Sequence, residues 1–199
     1  LGCEARLLGI AKDTLADHVH RIGAGLAGSD VVITIGGVSM GTHDFTRPAL
    51  EQLGATIELW RVAMRPGKPI AFARKDAVRI FGLPGNPVSS FVSFELFVRP
   101  ALLRMQGLVG APRPLWPAQL VDSEMKKKAG LEVYARGSAR LMSGKLVVRL
   151  VEGQGSHHMS ALADANCLVR FPRDVERVAA GGAVEVMLLA DPLVAADML

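Results

Sequence analysis

Cysteine is close to absent: Cys3 and Cys167 are the only two in 199 residues. They stand far apart with no CxxC partner, which argues against a disulfide framework and against a zinc site. The expectation is two reduced core thiols in a cytoplasmic protein. Aromatic residues make up only 5% of the chain, with a single Tyr. Apart from Lys126-Lys127-Lys128, read as a solvated loop, the basic residues are scattered. A nucleic-acid binder would carry a basic stripe interleaved with stacking rings, so no nucleic acid is expected as a partner. The net charge of +4 suits small anions better. No apolar run has the length that crosses a bilayer, so no membrane association is expected. No signal peptide stands at the start. The first residues read as the interior of a domain, and the chain is expected to be a piece of a longer protein.

Half of the residues are hydrophobic, enough for a real core. Residues 4–10 read as a short apolar strand. Residues 14–27 read as a helix, with Leu15, Val19, Ile22 and Leu26 on one face and a capping-box-like start at Thr14 and Asp17. Residues 30–35 are a continuous β-branched run, as in a strand covered on both faces of a parallel sheet. A short helix over 46–53 is closed by Gly54. Strands follow over 55–64, 70–74 and 77–81. A helix over 90–105 contains Pro100, which should kink or divide it. This alternation predicts an α/β class, a three-layer domain with a mostly parallel sheet over residues 1–108. Residues 109–117 are rich in Pro and Gly and read as a linker. Beyond them the helical periods vanish. Short strand-like runs near 118–122, 131–141, 145–151, 167–171 and 183–189 predict a small all-β, barrel-like domain over 118–190. A tail over 191–199 follows.

The segment FGLPGNPVSSF, residues 81–91, is the most informative stretch. Gly82 and Gly85 let backbone N–H groups approach a ligand with no Cβ in the way. Pro84 and Pro87 stiffen the loop. Ser89 and Ser90 offer N-caps to the helix that follows. A rigid loop feeding a helix N-terminus is a natural anion site. A second glycine loop, GGVSMGTHD over residues 36–44, follows an earlier strand. Gly36, Gly37 and Gly41 permit a backbone that wraps an anion. Ser39 and Thr42 add hydroxyls, and Asp44 is suited to a Mg²⁺ that bridges phosphate oxygens. An ordinary strand-to-helix turn explains these glycines equally well, and His43 reads best as an exposed loop residue. Ligands of α/β sheets bind beyond the carboxyl ends of the strands, where both loops would lie.

Arg65 and Lys68 flank a stiff turn in RPGKP, residues 65–69, of a kind that holds a tetrahedral dianion or a pyrophosphate. Arg61 shares a face with Arg65 if one strand runs through both. Taken alone, a solvated basic turn is the simpler account. Asp13 is either a second carboxylate at the same edge or a plain helix N-cap. In the β region Arg136 is suited to an anion and Ser156 to hydrogen-bond donation, although a strand arginine and a polar turn explain them more simply. His157 and His158 are adjacent, so on a strand they would face opposite ways, a poor spacing for chelation.

GGVSMGTHD, RPGKP and GLPGNPVSS, in that order and with Trp60 ahead of RPGKP, resemble the molybdopterin molybdotransferase family. This is the bacterial MoeA type, with relatives in the E domains of gephyrin and its plant counterpart. The resemblance covers the whole chain, and the three motifs together are far more specific than any one. It implies a molybdopterin-binding α/β domain followed by a C-terminal β-barrel. It implies insertion of molybdate into adenylylated molybdopterin, with AMP released and Mg²⁺ assisting. Carried onto this sequence, it gives catalytic roles to Asp44, Lys68 and Asp13, with both aspartates at the metal. It gives substrate contacts to Gly36, Gly37, Ser39, Gly41, Arg61, Arg65, Gly82, Pro84, Gly85, Asn86, Pro87, Ser89, Arg136 and Ser156. Arg61 and Arg65 stand where many members have Lys, which keeps the charge and changes the geometry. Met40 occupies a position that is often Val.

Two N-terminal domains of the family, and the first strand and helix of its α/β domain, have no counterpart here. The family completes its active site across a homodimer, so these residues alone are expected to turn over little. The molybdopterin adenylyltransferase is a further expected partner. Three other readings are kept: that adenylyltransferase itself, which lacks the PGKP loop and the barrel; a non-catalytic, peptide-binding scaffold of the gephyrin type; and a generic phosphate-binding domain.

Overall fold

The short link between two of its strands sets their relative direction in the first sheet. In a computed structural model, which describes residues 1–39, 44–110, 112–121, 124–155 and 158–190, the chain forms two units. The first comprises Leu1–Val62 and Gly67–Val109, the second Ala63–Pro66 and the chain from Gly110 onward.

Helix α1 (Leu15–Leu26) begins where the sequence indicates, with Thr14 Oγ1 accepting from the Asp17 amide at 3.3 Å. Strand β1 (Val31–Ile35), helix α2 (Thr46–Gln52) and strand β2 (Thr56–Trp60) follow. The strand expected over 55–64 stops at Trp60, because Arg61 turns to φ 73 in the left-handed region. Met64–Arg65 form a separate strand, β3, that belongs to the second unit. Strands β4 (Ala71–Lys75) and β5 (Val78–Leu83) are joined through Asp76 and Ala77. The sheet order is β1-β5-β4-β2.

Only β1 and β5 run parallel; β5 with β4 and β4 with β2 are antiparallel. The sheet is therefore mixed rather than mostly parallel. A two-residue connection allows only a hairpin, since a parallel crossover needs a dozen residues or more.

Two further expectations are corrected. Residues 4–10 form no strand, and Leu7 and Ile10 are 97% and 91% exposed. β1 lies at the edge of the sheet, with Ile33 and Ile35 40% and 70% exposed, instead of being covered on both faces. The two deviations have one cause: among the described residues no strand pairs with the outer side of β1. Cys3 is in consequence an exposed thiol, and only Cys167 is a core one.

Successive residues of β5 face opposite ways. Ile80 shares a core with Ile22 of α1, Ala49 and Leu50 of α2, Val32 and Ala73. Phe81 and Leu83 share another with Ile70 and Val98. Val98 lies on a long helical rod made of α3 (Pro87–Ser93), a π-helical turn (Phe94–Val98) and α4 (Arg99–Met105). The α-helical run is divided at Pro100 as expected, by the π turn that ends at Val98, with Pro100 in the first turn of α4. Pro100 has no N–H to give the preceding turn, and the wider π turn falls just ahead of it.

In the second unit, β6 (Leu115–Leu120), β7 (Met125–Lys126), β8 (Glu132–Met142) and β9 (Lys145–Leu150) are followed by a single-turn helix α5 (Ser160–Ala163), β10 (Cys167–Phe171), β11 (Arg177–Val178) and β12 (Ala183–Leu188). The order β10-β12-β6-β9-β8 closes through β8–β10 pairing into a five-stranded barrel, with β3 added beside β8. Leu120, Val148, Cys167, Val169 and Val186 fill it, all at 0% exposure. Lys126 and Lys127 are not a free loop: Lys126 lies in β7, and Lys127 Nζ donates to the carbonyls of Leu131 and Arg173.

Candidate anion-binding site

Parallel pairing of β1 with β5 makes both strands end on one edge, where Ile35 lies beside Leu83. The glycine loops leave from there. Gly36 donates to Leu83 O at 2.9 Å. Gly36 and Gly37 have φ of 91° and 67°, a region that side-chain-bearing residues avoid. The loops touch backbone to backbone: a Cβ on Gly85 would meet Gly36 Cα at 3.5 Å. A Cβ on Gly37 would come within 2.6 Å of Thr46 Oγ1, and one on Gly82 within 2.6 Å of Val38 Cγ1. Gly36 is therefore required by φ, Gly82 by close approach and Gly37 by both, while Gly85 is in ordinary contact with its neighbour.

The register Ala71↔Gly82 puts the start of β4 at this same edge. Trp60↔Ala71 brings the end of β2 there. Arg61 donates its amide to Ile70 O at 2.7 Å, and Val62 donates to Lys68 O at 3.1 Å. Arg61 Nη2 donates to Ser39 O at 3.3 Å, tying the basic stretch to the first glycine loop. Lys68 is exposed. Within the first unit, Gly36, Gly37, Ser39, Arg61, Lys68 and residues 82–89 thus converge on one edge. Arg65 belongs to the second unit, paired in β3 with Val133, so Arg61 and Arg65 do not share a strand face.

Asn86 is the N-cap of α3, its Oδ1 accepting from the Ser89 amide at 3.3 Å, with Pro87 in the first turn. This corrects the expectation that Ser89 and Ser90 cap the helix. Ser90 instead donates its hydroxyl to Pro84 O at 2.6 Å, and Ser89 is buried. Pro at N1 with Asn before it is a favoured helix start, so the signal lay one turn upstream. Asp44 is half-buried and engaged with neighbours, and Asp13 is exposed ahead of α1. Thr14, not Asp13, caps that helix. Among the described residues no three His, Cys, Asp or Glu side chains cluster as a metal site. Gly41, Thr42, His43, Met40, Ser156 and His157, and the tail over 191–199, lie outside the described residues.

In the second unit Arg136 is 1% exposed. Its Nη2 donates to Gly153 O at 2.7 Å and Gly155 O at 3.1 Å, while its Nε has no partner among the described residues. Burial draws its guanidinium below the usual arginine value. Gln154 locks the same strand, accepting from Arg136 N at 3.0 Å and donating to Arg136 O at 2.8 Å. Sequence reasoning missed Gln154 and Thr46. Neither carries a local signal, because each acts through a partner distant in sequence: Arg136 for Gln154, and Gly36 O at 3.4 Å for Thr46.

The sequence profile described as "Probable molybdopterin binding domain" matches residues 1–104, and that of the "MoeA C-terminal region (domain IV)" matches residues 120–189. The chain belongs to the MoeA-type molybdopterin-binding family. It is 35% identical over 187 residues to a molybdopterin molybdenumtransferase of Haemophilus influenzae, covering 94% of this chain and 46% of that protein. It is 36% identical over 186 residues to molybdopterin molybdenumtransferase 2 of Mycobacterium tuberculosis, covering 89% of this chain and 45% of that protein. A crystal structure of the molybdopterin biosynthesis MoeA protein of Pyrococcus horikoshii superposes with a TM-score of 0.73 at 28% identity, covering 92% of this chain and 43% of that one. The chain therefore spans less than half the length of the relatives it matches. Family membership places it in molybdenum cofactor biosynthesis. No helix among the described residues is long and apolar enough to cross a membrane.

Proposed function

We propose that this chain supplies the substrate-holding edge and the barrel of a transferase that inserts molybdate into adenylylated molybdopterin and releases AMP. The observation that carries the reading is the contact of Gly36 with Gly85, which joins two N–H-rich loops at one sheet edge beside Arg61 and Lys68. Backbone N–H groups that cannot be shielded by a Cβ suit the phosphates of a nucleotide-linked pterin. Lys68 and Arg61, with Ser89, neutralise and hold the multiply negative substrate, and in the second unit Arg65, Arg136 and Ser156 are assigned to molybdate, a tetrahedral dianion. Their work is positioning and charge neutralisation, and no side chain is assigned as a general base.

Mg²⁺ binds through one or two carboxylates and completes its shell with water and substrate phosphate, and Asp44 and Asp13 are carboxylates of that type. Asp44, with Asp13, would hold it. When bound, the ion adds charge neutralisation at the pyrophosphate. Assembly as a homodimer in the cytoplasm, and delivery of substrate by the molybdopterin adenylyltransferase, complete the reading.

Calorimetric titration of adenylylated molybdopterin and then molybdate into the chain, with AMP as readout, tests it. Saturable binding that Lys68→Ala weakens about tenfold or more is expected, a loss typical of a charge-assisted contact. Equal binding by the variant removes Lys68 from the site. Pyrophosphate release from ATP and molybdopterin would instead make the chain an adenylyltransferase.

A further inference from the structure

The first unit has a second concave feature, away from the glycine loops. A cleft of ≈ 500 Å³ opens between α4 and the sheet. Ile70 and Phe81 floor it, at 1% and 4% exposure, and Phe72, Phe97 and Met105 wall it. Two guanidinium groups, Arg79 and Arg104, line it as well. Among the described residues no carboxylate lines the cleft, and Arg104 makes no ion pair. Among the described residues the Arg79 guanidinium donates only to the Ala77 carbonyl beside it. The register Val31↔Arg79 places this residue at the far end of β5 from Leu83, about 13 Å away at the rise of a strand. The Arg79 end of the cleft is therefore remote from the anion edge, which only Ile70 approaches, and the proposal does not rest on the reading of that edge.

Its shape follows from the layers. The helical rod packs on β5, and on the same face Leu59 of β2 and Phe72 of β4 pack against this core but stay half-buried, lining the cleft. An apolar cleft bounded on one side by a helix is a shape that a second helix fills, and half-buried apolar lining of this kind marks a binding surface. The absence of lining acids, together with two cations at the mouth, sets the sign of the guest.

We propose that this cleft receives an amphipathic helix from another polypeptide, seated by its apolar face and flanked by Glu or Asp that pair with Arg79 and Arg104. The mode is helix-in-groove recognition, with anchors at i, i+4 and i+7.

The test uses a fluorescein-labelled peptide of about five turns, with Leu at those positions and flanking Glu, and a twin in which Lys replaces each Glu. Fluorescence anisotropy should show saturable binding of the acidic peptide, about tenfold or more tighter than the Lys twin, with a preference that falls as salt rises. Arg104→Glu, at an exposed position and checked for an unchanged melting temperature, should reverse the preference. Indifference to peptide charge, or an unaltered preference in Arg104→Glu, overturns the proposal. Decanoate that perturbs the Met105 methyl resonance while neither peptide binds overturns it in favour of a small apolar acid. Failure of all three probes to bind overturns it outright.

Discussion

Gly36 and Gly85 meet with no side chain between them, and a Cβ on Gly85 would stand 3.5 Å from Gly36 Cα. That is an ordinary van der Waals distance, and Gly85 does not carry a positive φ. Gly85→Ala should therefore fold with stability within about 0.5 kcal/mol of the parent. Its methyl would stand over the amides of the loop, so affinity for adenylylated molybdopterin should fall about tenfold or more. Gly36→Ala should lose stability, by roughly 1–2 kcal/mol, because φ of 91° is disfavoured for alanine. Urea denaturation beside calorimetric binding separates the two. Equal stability losses in both variants would show that the loops are held for packing alone.

Gly82→Ala tests the floor of the same edge. Its Cβ would lie 2.6 Å from Val38 Cγ1 and 3.2 Å from Ala71 Cβ, in a strand with no room to shift. Overpacking of this kind costs about 1–3 kcal/mol. The urea midpoint should drop further for Gly82→Ala than for Gly85→Ala.

In the barrel, Arg136 holds the 153–155 turn through two carbonyls, and its Nε has no partner among the described residues. Arg136→Met keeps bulk and removes both donors. The carbonyls of Gly153 and Gly155 then lose their partner, for about 1–3 kcal/mol in all. Molybdate affinity should fall together with stability. Arg136→Lys should recover part of the affinity through its charge and little of the geometry. Full molybdate affinity in Arg136→Met would show that this arginine only braces the turn.

These cases also show what the sequence could and could not disclose. The loops were legible because their geometry is local: glycines at 36, 37 and 82 are demanded by φ or by close contact within a few residues of a strand end. The periodicity of 15–26 and the Thr14 cap were legible for the same reason. The Lys75–Val78 hairpin was readable too, since two connecting residues forbid a parallel crossover, and the mixed sheet follows from it. What escaped was non-local. Residues 4–10 have the composition of a strand, but a strand exists only where another pairs with it, and β1 offers an edge with no neighbour among the described residues. Composition likewise could not reveal that the RPGKP motif divides between two units, with Arg65 pairing to β8 and Lys68 in the first unit.

Glu132 sets an acid limit on the barrel. Hydrogen bonding from Arg170 at 2.8 Å, helped by the Tyr134 hydroxyl at 2.7 Å, holds its carboxyl below the ordinary 4.5, and burial only partly opposes this. A folded-state pKa below the unfolded one means stabilisation that is complete above the unfolded value and lost as pH falls through the folded one. Glu132→Gln should thus lower unfolding free energy by roughly 1–2 kcal/mol at neutral pH. The difference between parent and variant should shrink as pH falls below the ordinary carboxylate range and the folded-state carboxyl takes up its proton. A difference that stays constant throughout acid titration would remove Glu132 from the acid response.

The two thiols should separate cleanly by chemistry. Cys3 is exposed, while Cys167 sits in the barrel core at 0% exposure and burial pushes its thiol up to about 12. Only a thiolate attacks a disulfide reagent, and at about pH 8 the buried group has almost none. Native protein should therefore release one equivalent of chromophore from an aromatic disulfide within minutes, and the second only at the rate of unfolding. Cys3→Ser should abolish the fast phase and leave the slow one. A destabilising barrel substitution such as Arg136→Met should speed the slow phase, because access to Cys167 requires the strands β8 and β10 to part. Two fast thiols in the folded protein would mean that the barrel opens readily along that seam.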